Sequence, residues 1–120
     1  MFLIDASVWV DHFRRGNRAL STLLLEGRVL CHPFIIGELA CGNLKHRSET
    51  LSLLHKLPEA PLADSADVLA LIDTHGLMGV GLGWVDVHLL SSTLLAHTQL
   101  WTLDRQLARA ASRLGVLAAP

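Results

Sequence analysis

Short apolar runs alternate with helical periodicities along the whole chain. Phe2-Leu3-Ile4 is an apolar run stopped by Asp5, and beyond it apolar side chains at 6, 9, 10 and 13 repeat with helical spacing. This predicts a buried strand feeding a helix, with Asp5 at the strand's carboxyl end. Asn17 can cap a second helix through Leu20 and Leu23-Leu24-Leu25 to Glu26, halted by Gly27. Three consecutive leucines exceed what one helix face needs: core is their default, a partner groove the alternative. Arg28 to Cys31 predicts a second strand. Pro33 suits the first turn of a helix from Phe34 to Cys41, ended by Gly42-Asn43, and Ser48 to Leu57 forms another. Pro58 to Pro61 is linker-like but too short to divide domains. A strand around Leu62 is expected next, then a helix capped by Ser65 and reaching His75. Gly76, Gly79, Gly81 and Gly83 form a loop before a long helix from about Trp84 to His97. Gln99 to Leu103 predicts a strand ending at Asp104, Arg105 to Arg113 a last helix, and Val116-Leu117 a final edge strand.

Short apolar strands alternating with helices predict an α/β fold, a mostly parallel central sheet flanked by helices on both faces, as one domain over residues 1–120. Open sheets of this kind bind ligands at the carboxyl ends of their strands. Asp5 and Asp104 are expected there, with Glu38 and Asp86 on helices leaning over the same edge.

Composition narrows the function. Half of the 120 residues are hydrophobic (51%), enough to leave apolar surface uncovered in a monomer, so a homodimer or a protein partner is expected. A formal net charge of -1 supplies no bulk drive toward nucleic acid or anionic membrane. Any RNA contact must then rest on local basic clusters and metal ions. Cys31 and Cys41 have no metal or redox spacing and read as reduced, buried thiols of a cytoplasmic protein. Asp5 cuts short the N-terminal apolar run, which argues against a signal peptide, and no apolar stretch approaches a membrane span.

The chain has eleven acidic residues, and four of them, Asp5, Glu38, Asp86 and Asp104, interrupt or end apolar segments. A buried, unpaired carboxylate costs several kcal/mol, so such an acid is neutralised, paired or given to a metal. Asp5 and Asp104 each precede a helix and Asp86 opens one, so helix capping is the plain alternative for all three. Glu38, inside Phe34-Ile35-Ile36-Gly37-Glu38-Leu39-Ala40-Cys41, has no such alternative. Hard oxygen donors without a cysteine or histidine set are the preference of Mg²⁺ or Mn²⁺. An ion held there activates water toward a phosphodiester and stabilises charge on the phosphoryl oxygens. Without metal, the acids should raise one another's pKa values. Ser7 and Thr102, each two residues from an aspartate, are hydroxyls placed to hydrogen-bond a carboxylate, a water or a phosphate oxygen.

The Ile4-Asp5-Ala6-Ser7-Val8-Trp9 opening, Ile36-Gly37-Glu38-Leu39, Gly83-Trp84-Val85-Asp86 and Trp101-Thr102-Leu103-Asp104 together resemble the PIN-domain ribonucleases, and among them the VapC-type toxins of type II toxin–antitoxin pairs. The resemblance runs from Met1 to about Gly115. It implies a three-layer PIN-like fold and a Mg²⁺- or Mn²⁺-dependent endoribonuclease with Asp5, Glu38, Asp86 and Asp104 as its catalytic, metal-binding acids. It also implies an RNA substrate, a homodimer, and inhibition by a cognate antitoxin whose tail covers the pocket.

Two arginine groups are candidate contacts for RNA or antitoxin: Arg14, Arg15 and Arg18 after the first helix, and Arg105, Arg109 and Arg113, which share one helix face. A merely solvated face is the alternative. The seven histidines lack metal-ligand spacing, and structural or surface roles are expected for them. The glycine loop lacks the Lys-Ser/Thr of a phosphate-binding P-loop and reads as a flexible entry to the long helix. A receiver-like phosphoacceptor domain would need paired acids after the first strand and a late lysine, and the chain has neither. A catalytically silent binding module and a DNA-directed nuclease of the same wider fold are the remaining alternatives.

Overall fold

The computed structural model describes Met1–Pro120 in full. Its centre is strand β1 (Phe2–Ile4), whose Leu3 and Ile4 have no exposed surface. Strand β2 (Val29–Leu30) pairs with one edge of β1 and β3 (Gln99–Trp101) with the other. Both pairings are parallel; Phe2 lies opposite Val29 and Gln99, and Ile4 opposite Trp101. A parallel sheet covered on both faces needs continuous apolar runs rather than alternation, which is why these strands read as short hydrophobic blocks. Because β1 is flanked by strands reached in opposite directions, its carboxyl end is a topological switch point. Asp5 occupies it.

Seven helices complete the α/β fold: α1 (Ala6–Arg15), α2 (Arg18–Leu25), α3 (Pro33–Ala40), α4 (Arg47–His55), α5 (Ser65–His75), α6 (Trp84–Leu95) and α7 (Arg105–Arg113). Polar caps define most of their starts: Asn17 accepts from Leu20 N–H at 3.0 Å, and Pro33, needing no donor, takes the first position of α3. Helix α3 packs against α1 and α4, and α6 against α5 and β3. Leu20, Ile35, Leu89, Leu90, Leu100 and Leu107 are fully enclosed in one core, each such burial contributing about 1.5–3 kcal/mol.

Several local expectations shift. The strand expected around Leu62 is absent: the only pairing nearby is a single bridge of Glu59 with Cys31, and Leu62 is exposed. Pro61 has no N–H to extend that ladder. Val116-Leu117 likewise contributes one bridge, Leu117 with Leu100. Asp64, rather than Ser65, caps α5, its Oδ1 accepting from Asp67 N–H at 3.0 Å. Helix α6 ends at Leu95, and β3 stops at Trp101, leaving Thr102 and Leu103 beyond the ladder. Of the leucine triplet, Leu23 is core, Leu24 packs partly against it, and Leu25 is 90% exposed. Cys31 is buried, with its thiol pushed up to about 11 by desolvation, whereas Cys41 is exposed, contrary to the expectation for both. No helix is long and apolar enough to cross a membrane.

Candidate active site

Asp5 is the buried member of the acidic set, and its surroundings explain how burial is tolerated. Ser7 Oγ donates to Asp5 Oδ2 at 2.6 Å, and Thr102 Oγ1 donates to the same oxygen at 2.8 Å. Each hydroxyl also accepts a backbone N–H: Ser7 Oγ from Leu103 at 3.0 Å, Thr102 Oγ1 from Asp104 at 3.0 Å. Both hydroxyl hydrogens are thus committed to Asp5, so the 3.3 Å approach of the two hydroxyls is a contact rather than a further bond. The Asp5 N–H donates to Trp101 O at 2.9 Å, tying the acid to the neighbouring strand. The result is one carboxylate oxygen fixed in place and the other, Oδ1, with no protein partner.

The other acids keep capping duties alongside. Asp104 caps α7 through Oδ1, which accepts from Leu107 N–H at 2.9 Å. Asp86 is not the cap of α6; it stands three residues inside and reaches back to Gly83 N–H at 2.9 Å. The Glu38 carboxylate makes no hydrogen bond within the protein. Burial is graded rather than uniform: Asp5 is buried, Asp86 half-buried, and Glu38 and Asp104 exposed. The apolar neighbours of Glu38 in sequence point into the core while its own helical position faces out, so chain context overstated its burial.

The acids nonetheless share one electrostatic environment. Partial desolvation, then the charges of Asp5 and Asp86, hold the Glu38 carboxyl above its ordinary range. Desolvation raises Asp86 as well; the Gly83 N–H opposes it, and Asp5 and Asp104 add to it. No three of the chain's His, Cys, Asp or Glu side chains converge into a ready-made metal cage. Carboxylates of like charge repel one another, which accounts for that spacing. The donor set fits a hard divalent ion that takes one or two carboxylates and keeps several waters.

An aromatic row that the sequence reading missed holds the helices carrying Glu38 and Asp86 together. Trp84 meets His88 at 4.7 Å, His88 meets Phe34 at 4.8 Å, and Phe34 meets His32 at 5.1 Å, all edge-to-face. His32 is fully buried and caps α3: its Nδ1 accepts from Phe34 N–H at 3.0 Å. Nε2 must then carry the proton toward Ser92 Oγ at 3.1 Å. Desolvation, then the neighbouring His88, lowers the imidazole to about 4. His-Pro before an apolar helix was the one sequence signal available for this cap.

The two arginine groups separate. Arg105 follows Asp104 directly, and Arg109 stands one turn further along α7, about 7.5 Å from Asp104 along the axis. Arg14 and Arg15 end α1, whose opposite end Asp5 caps, and Arg18 begins α2. Arg15 is already engaged, its Nε 2.6 Å from Asp11 Oδ1, and that pairing with Asn17's help holds Asp11 below its usual range. Arg14, Arg15 and Arg18 are thus not brought to the acids.

A small parallel α/β sheet, with carboxylates gathered where its central strand ends, defines a PIN-like domain. No family model matches the sequence. Over 117 residues, 97% of this chain and 94% of the relative, it is 41% identical to the protein described as Ribonuclease VapC32 in two strains of Mycobacterium tuberculosis. The chain belongs to the VapC-type PIN ribonuclease toxins.

Proposed function

We propose that residues 1–120 act as a single nuclease domain that hydrolyses RNA phosphodiester bonds, using Mg²⁺ or Mn²⁺ held among Asp5, Asp86, Asp104 and Glu38, as the toxin of a type II toxin–antitoxin pair. The observation that supports this reading is Asp5 pinned by two hydroxyls, with its charge acting on Glu38 and Asp86 and that of Asp104 acting on Asp86. When bound, the ion neutralises charge developing on the phosphoryl oxygens and on the leaving group. Asp5 would be the central ligand, its Oδ1 free of protein partners while Ser7 and Thr102 hold Oδ2. Asp86 and Asp104 complete the set with the oxygens their caps leave free. Glu38, on the exposed rim, would hold the ion through water, bind a second ion or orient the attacking water.

Partner binding has a physical candidate too. A groove of about 330 Å³ runs between Trp9, Phe13, Leu24, Leu53 and Leu57. Phe13 and Leu53 are exposed there, and the buried Trp9 Nε1–H has no acceptor. An antitoxin segment with an apolar face fits it, and α1 leads from the groove to Asp5. The exposed leucines and Trp84 favour a homodimer as well.

The test is cleavage of total cellular RNA by antitoxin-free protein, with Mg²⁺ or Mn²⁺ and with EDTA, beside Asp5→Asn. Discrete, metal-dependent fragments that vanish in a folded variant are expected. Retained cleavage in Asp5→Asn sinks the site, and no cleavage of RNA or DNA by folded, metal-loaded protein moves the function to a silent binding module.

A further inference from the structure

The arginine face of α7 and the glycine loop before α6 are separate features in the chain but one pocket in the fold. The loop's Gly79, Val80 and Gly81 face Gln106, Arg109 and Arg113 across a depression of about 450 Å³. No acidic side chain lines it, and Arg109 makes no ion pair anywhere in the molecule. Arg113 is held at the rim, its Nη2 donating to His75 O at 3.0 Å at the end of α5. The N–H groups of Gly79 and Gly81 meet no acceptor in the protein. Gly81 has φ +84, and a Cβ there would stand 3.1 Å from Gln106 Cγ, so only glycine brings the loop backbone this close to α7.

An unpaired guanidinium, a side-chain amide and a loop with unbonded backbone N–H groups, lining one depression without a carboxylate, make a receptor for an oxyanion. The pocket shares α7 with the acidic site: the helix is capped by Asp104 and presents Gln106 and Arg109 to the pocket within its first five residues. We propose that it binds a backbone phosphate of the RNA strand next to the bond being cut, with Arg109 and Arg113 as the principal contacts. This rests on the ribonuclease reading above and makes the grip on substrate local, as a chain with formal net charge -1 requires. An acidic antitoxin segment would also match the arginines, and a phosphodiester offers the same two charged oxygens as a carboxylate; the substrate strand is favoured because α7, which carries both arginines, starts at Asp104 of the acidic site.

Fluorescence anisotropy with labelled oligo-uridylate and oligo-adenylate, over a series of salt concentrations, tests it. Asp5→Asn serves as the background so that the RNA stays intact. Arg109→Ala and Arg113→Ala should each weaken both RNAs several-fold and alike, lowering the salt slope by about 0.7 for each phosphate no longer neutralised. Arg109→Lys should keep the slope while losing part of the affinity, which separates a direct phosphate interaction from a folding defect. Unchanged affinity and slope in both alanine variants overturns the pocket, and weakened antitoxin binding alone would reassign it to the protein partner. If wild type still cuts RNA in that case, the ribonuclease reading stands without it. If wild type neither binds nor cuts RNA, that reading falls as well.

Discussion

Thr102 does two jobs with one hydroxyl. It accepts the Asp104 N–H and donates to Asp5, joining two acids that lie 99 residues apart in the chain through a single oxygen atom. Thr102→Val preserves shape but strands the Asp104 N–H and leaves Asp5 Oδ2 with Ser7 as its one hydroxyl donor, and an orphaned group away from water costs about 1–3 kcal/mol. Urea denaturation should show that loss as a lower midpoint with unchanged slope. Cleavage should fall too, because Asp5 loses its orientation. Ser7→Ala should act similarly, and the double variant should cost more than the sum, since only then does the buried Asp5 Oδ2 lose both hydroxyl donors. A hydroxyl two residues from an aspartate was legible in the chain because the spacing is local. That Ser7 and Thr102 meet on one oxygen was not, because only the β1–β3 pairing brings them together.

At the scale of elements, α3 depends on an unusual cap. His32 must stay neutral to accept the Phe34 N–H, and its pKa near 4 lies below the ordinary 6.5. Between those values the unfolded chain binds a proton that the folded chain refuses. Stability should accordingly fall as pH drops from 6.5 to 4, by up to about 3 kcal/mol at 1.36 kcal/mol per unit. Glu38 and Asp86 slope the other way: with folded pKa values raised, they lose stability as pH rises through their titration. His32→Asn keeps a capping side chain and removes the titration, so the difference between the two stability–pH curves isolates the imidazole. The variant should be weaker at pH 7, where Ser92 loses its partner, yet flatter between pH 4 and 6.5. An equally steep curve for His32→Asn would put the slope elsewhere.

Across the whole molecule, the acids come from the end of β1, from α3, from α6 and from the start of α7. An ion bound among them would link elements from both ends of the chain and stabilise the folded state alone. Mg²⁺ or Mn²⁺ at about 100 times its Kd should add about 2.7 kcal/mol, read as a rise in Tm that EDTA reverses and Asp5→Asn abolishes. The rise should shrink toward acid pH as the raised carboxyls take up protons. A Tm indifferent to divalent ions would remove the metal from this site.

Local pattern was enough for much of this. Apolar blocks, helical spacing and capping residues dictated the α/β class and the bounds of α7, because backbone propensity and side-chain periodicity act within a few residues. The four acids stood out in the same way, as carboxylates beside apolar runs. Their burial did not follow from the chain: Glu38 and Asp104 are exposed, since exposure depends on which helix face turns inward and what packs upon it. Only the tertiary fold joined the glycine loop to Arg109 and Arg113, placed His32 beside Ser92, and left Arg14, Arg15 and Arg18 at the far end of α1 from Asp5. Those outcomes rest on residues remote in sequence coming together, and parallel strand pairing, not local preference, sets which of them meet.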